Sequence, residues 1–133
     1  MSKIRSMPVA ALALGLTLGF APVAQAGDAQ KEIATAAAHA GMAAGAMDAK
    51  MVTAHMKHVV NCLVGPAASD YDSSQLNPCK DMGAGAIPDA SPEKQMALEV
   101  ALRTAKEGAM ETDMVKAKEK AMATQSALGK LTM

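Results

Sequence analysis

Aromatic side chains are nearly absent from this 133-residue chain, which contains one Phe, one Tyr and no Trp. Phe20 lies in an N-terminal segment that reads as a removable export signal, so Tyr71 is the only aromatic of the remaining domain. Its core must then be built from Ala, Val, Leu, Ile and Met. At about 25 cal/mol per Å² of buried apolar surface, a domain of about a hundred such residues gains little from burial. A disulfide, a metal ion or a partner subunit is expected to supply the missing stability.

Cysteine is equally scarce, with only Cys62 and Cys79. No Cys-x-x-Cys occurs, which excludes thioredoxin-type exchange. No Cys-x-x-Cys-His occurs either, which excludes the usual covalent attachment of c-type haem. In an oxidising compartment the two cysteines are expected to pair, closing a ring worth about 3 kcal/mol by chain entropy. The alternative is thiolate ligation, because His58 lies one helical turn before Cys62.

Long apolar runs are missing too. The stretch from Val9 to Phe20 is shorter than the roughly 20 residues that cross a bilayer, and no later stretch approaches that length. It stands between Lys3 and Arg5 on one side and Ala24-Gln25-Ala26 on the other, the three parts of a cleaved secretory signal. Residues 1–26 are therefore expected to be removed, leaving 27–133 as a single helical domain with no membrane span, exported to the bacterial periplasm.

Neither sign of charge is in excess. The signal takes two of the 13 basic residues and none of the 13 acidic ones, leaving 11 against 13, interspersed along the chain. That pattern offers no basic face for phosphates and excludes nucleic acid as a partner. No Ser-centred elbow or paired catalytic acid motif appears, and Gly83-Ala84-Gly85 is too short to cradle a phosphate. No enzymatic activity is expected.

Helix signals dominate what is there. An Ala-rich segment runs from about Asp28 to Ala44. A second runs from Asp48, a plausible N-cap, to Val64, where Gly65-Pro66 stops it. Ser91-Pro92 opens a third segment reaching about Glu107, and a fourth follows from about Thr112 to Leu128, with Gly129 placed to end it. The segments Gly45–His55 and Gly108–Lys118 share six identities in eleven positions, which suggests a duplicated helix-bend-helix unit. The expected fold is all-α: a four-helix bundle of two hairpins, 28–64 and 92–131, joined by a long disulfide-tied loop, 65–91. A continuous helix through Gly45 is the rival arrangement. Within the loop, Asp70-x-Asp72-x-Ser74 lacks the turn glycine and final Glu of a calcium loop and reads as turn-forming.

The second helix carries the most chemical information. At 3.6 residues per turn, Val52, Met56, Val59 and Leu63 form an apolar stripe. Met51, His55, His58 and Cys62 form another about a quarter-turn away, while Thr53, Lys57 and Asn61 are expected to face water. Folding the hairpin about Ala46 and Met47 sets Met42 opposite Met51 and His39 near His55. The expected metal site is thus His39, Met42, Met51 and His55, with His58 at its edge. Imidazole and thioether suit copper and discriminate against magnesium and calcium.

Ten methionines remain after Met1 and Met7 leave with the signal, spread over both hairpins. Met47 and Met51 have counterparts in Met110 and Met114, where no histidine accompanies them. Packing is the simpler account of most of them. The leading expectation is a periplasmic copper-binding protein. The alternative is a metal-free structural or interaction bundle, with a second copy or another exported protein as its partner.

Overall fold

Aspartate caps and Ala-rich runs set the helices. The computed structural model describes residues 27–133, and the expected export signal, residues 1–26, lies outside the described residues. Helix α1 spans Ala29–Gly45 and starts at Asp28, whose side chain accepts the Lys31 amide. Helix α2, Ala49–Val64, starts at Asp48 in the same way, through the Met51 amide. It stops at Gly65, whose φ of +72° is open to glycine and where a side chain would run into the Ala84 carbonyl. A single turn, α3 (Ala86–Asp89), interrupts the loop that follows. Helix α4, Pro92–Met110, opens on Pro92; Ser91 precedes it but makes no side-chain cap bond. In α5, Met114–Leu131, Asp113 accepts the Val115 and Lys116 amides.

The described residues form a helical bundle without strands. α1 packs against α2 and α5, and α4 packs against the same two helices. Ile33, Met56, Leu63, Leu98 and Leu128 are the large apolar side chains fully buried between them. Ala36, Ala40, Ala43, Ala101, Ala105, Ala117 and Ala121 let the helices approach closely. Tyr71 lies partly buried against this core. No helix among the described residues is long and apolar enough to cross a membrane.

The chain bends after Gly45 and again after Met110, so the continuous helix through Gly45 is ruled out. Gly45 ends α1, whereas its counterpart Gly108 lies two residues inside the end of α4. The reason is capping: Asp48 begins α2, but its counterpart Glu111 is a poor cap, and the chain continues to Asp113 before starting α5. Gly129 does not end α5 as expected. It is tolerated inside the helix, and Thr132 closes the end by donating its hydroxyl and amide to the Gly129 carbonyl.

Two further expectations are corrected. Asn61 does not face water; it is fully buried. The loop folds over it, and its side chain donates to the Asp72 carbonyl and accepts the Asp72 amide, both at 2.9 Å. Nor does packing account for most methionines. Met56 is fully buried, and Met82 and Met114 pack partly against the core. Met42, Met47, Met51, Met96, Met110, Met122 and Met133 are exposed. Helices spaced by alanine leave few gaps for long side chains to fill. The loop is tied as expected by a Cys62–Cys79 disulfide, and Asp72 makes a turn through the Ser74 amide.

Candidate metal centre

The core faces of α1 and α2 place three histidines at one seam. Ile33, Ala36, Ala40 and Ala43 are the buried apolar positions of α1, and His39 stands beside them on the side toward α2. On α2 the buried stripe is Val52, Met56, Val59 and Leu63. His55 and His58 flank it, on the same side as Cys62. The bend at Ala46–Asp48 turns the helices antiparallel and brings His39 level with His55.

The result is a near-equilateral triangle of imidazoles. Ring centroids are separated by 5.5 Å for His39–His55, 5.3 Å for His39–His58 and 5.5 Å for His55–His58. One ring nitrogen from each lies within 4.8 Å of the other two, so the cluster could hold a metal ion. All three side chains are partly buried. No carboxylate or thiolate belongs to the group.

His58 is therefore a full member of the cluster and not its edge. The three-residue step from His55 to His58 leaves the two rings flanking His39 from consecutive positions on one helix face. Met42 and Met51 lie one turn nearer the bend, 50 % and 44 % exposed, at the rim of the same helix pair. The long loop brings a thioether that its sequence gave no reason to expect. The Thr35 hydroxyl, one turn before His39, lies 3.7 Å from Met82 Sδ. Only the tying of the loop onto α1 puts Met82 there.

The electrostatics favour neutral rings at His39 and His58. Burial holds His39 below the ordinary imidazole range, with His58 and His55 adding repulsion. His58 is lowered by burial and then by His55. A neutral imidazole has one lone pair to offer. His39 Nδ1 and His55 Nδ1 face each other at 3.3 Å, where they can share one proton or direct two lone pairs at a cation. His58 Nδ1 is buried with no hydrogen-bond partner, a costly arrangement for a polar atom unless something binds there. A tetrahedral ion with metal–nitrogen bonds of about 2.0–2.1 Å separates its ligands by about 3.3 Å, which matches the Nδ1–Nδ1 spacing. No model of a known protein family, no curated protein and no solved structure matches this chain, so the reading of the centre rests on its three imidazoles.

Proposed function

We propose that this chain is a non-enzymatic, periplasmic copper-binding protein. His39, His55 and His58 are its principal ligands, Met42 and Met51 are supplementary thioethers at the rim, and a four-helix bundle of two hairpins is the scaffold. The observation that carries the reading is the facing of His39 Nδ1 and His55 Nδ1 at ligand-edge spacing, in a cluster whose third ring, His58, keeps a buried Nδ1 without a partner. Three neutral donors leave the ion's charge uncompensated. In a partly buried site that cost is smaller for monovalent copper than for a divalent ion. Soft thioethers next to the imidazoles favour the same choice.

The test is native mass spectrometry together with thermal unfolding in the presence of Cu(I), Cu(II) or Zn(II). A ligand that binds only the folded state stabilises it by about 2.7 kcal/mol at a hundredfold excess over Kd, a clear rise in Tm. His55→Ala and His58→Ala are expected to abolish that rise. Met42→Ala with Met51→Ala should weaken the response to Cu(I) more than that to Zn(II), and Met110→Ala should change neither. No shift with either copper ion would overturn the reading, and a shift with zinc alone would reassign the metal.

A further inference from the structure

Away from the histidines, the first turn of α1 buries a carboxyl group. Glu32 is fully buried. Its Oε1 accepts the Gly85 amide at 3.1 Å, while Oε2 is enclosed and receives no N–H from the protein. The group beside it is another acid: Asp89, the last residue of α3, whose Oδ2 accepts the Ala84 amide at 2.7 Å. Consecutive amides of Gly83-Ala84-Gly85 thus serve the two carboxyls, a role for a motif too short to cradle a phosphate.

Glycines pack tightly against the pair. A Cβ on Gly27 or Gly83 would collide with the Asp89 carboxylate, and one on Gly83 would also come within 3.1 Å of Glu32 Oε1. Gly85 has a φ of +121°, and a Cβ there would press on the Val64 carbonyl. The charged groups that act on Glu32 are Asp89 and Asp28, both acidic, with no cation among them. These residues are not among the described groups that could hold a metal ion. A proton fits such a space. Placed on Glu32 Oε2, it gives that atom a partner by donating to Asp89.

We infer that Glu32 is a proton-operated latch against Asp89, which docks residues 82–89 on the start of α1 while the buried Glu32 carboxyl carries a proton and releases them when it ionises. Burial, and then the charge of Asp89, push Glu32 up to about 7, against the opposing pull of the Gly85 amide, so the change falls near neutral pH. The latched segment also carries the Met82 carbonyl, which accepts the Asp28 amide at 3.0 Å. Ionisation of Glu32 sets a buried carboxylate against that of Asp89, near a third acid, and separating them is the relief available.

The experiment is a pH titration of the full, oxidised chain by NMR. It follows the Glu32 carboxyl carbon together with hydrogen exchange at the Ala84 and Gly85 amides, corrected for intrinsic pH dependence. Glu32 is expected to titrate near 7. Protection at Ala84 and Gly85 should fall about tenfold per pH unit from about 4.5 up to about 7 and level off above it, as for an opening linked to one proton, while Ala121 in α5 keeps its protection. Glu32→Gln, which retains a donor toward Asp89 without the charge, should show no such fall. Titration of Glu32 near its ordinary 4.5, pH-independent protection in the parent, or an unchanged fall in Glu32→Gln would each overturn the latch. Should Glu32→Gln not fold, the parent's own titration and protection decide the matter.

Discussion

Replacing Glu32 by Gln should change the shape of the stability-versus-pH curve, and the size of that change follows from the burial of one carboxyl. Glu32 moves from its ordinary 4.5 in the unfolded chain to about 7 in the folded one. The folded state therefore binds the proton more tightly, and between those two values unfolding releases it. The stabilisation is fully present below about 4.5 and is lost as pH rises through about 7. At about 1.4 kcal/mol per pH unit, the loss amounts to about 3 kcal/mol. His39 and His58, held below the ordinary imidazole range, act with the opposite sign: their contribution is present above about 6.5 and is lost as pH falls. The parent curve sums these effects, so the informative quantity is the parent minus the Glu32→Gln variant. Urea unfolding followed by circular dichroism at half-unit intervals from pH 4.5 to 8 should show that difference moving by about 3 kcal/mol against the parent, with an unchanged m-value. Since small domains carry only about 5–15 kcal/mol in total, this is a large share. A difference that stays flat across the interval would refute the raised pKa of the buried Glu32.

Three other expectations concern the loop and the histidines. Replacing both Cys62 and Cys79 by Ser should cost about 3 kcal/mol in denaturant unfolding, the chain-entropy value for cysteines 17 residues apart; an unchanged midpoint would show that the loop is held without the disulfide. Asn61→Ala leaves the Asp72 amide and carbonyl without their side-chain partner, and should lower stability by at least about 2 kcal/mol. Gln, too long for the site, should not restore it. Burial keeps His39 and His58 neutral below the usual imidazole pKa, so copper affinity measured by competition should hold down to about pH 6.5 and decline only below it. A decline beginning above pH 7 would mean that the rings are ordinary exposed histidines.

The residues governed by local rules were legible in advance. Asp48, Gly65 and Pro92 bound helices where capping and backbone chemistry place them, and the spacing of His55 and His58 on α2 is a property of 3.6 residues per turn. His39 could be set near His55 because a short bend in a hairpin fixes the register. Cys62 and Cys79 could be paired because there are no others. Gly129 was misread because a helix tolerates glycine when the next residues continue the pattern, and the bend of the second unit was displaced because Glu111 caps poorly while Asp113 caps well.

What the sequence determined alone is thus a set of helices, one disulfide and a stripe of histidines, since each depends on residues close in the chain or on the absence of alternatives. The tertiary structure decided which groups lose water. His58 became a full member of the triad because α1 crosses α2 at that level, and Asn61 was buried because a loop closes over it. Most methionines were left outside because alanine draws the helices together. Burial, and then the approach of Asp89, 57 residues away, push the Glu32 carboxyl up to about 7. Desolvation and charge pairing depend on distance in space, and no pattern along the chain encodes the approach of segments so far apart.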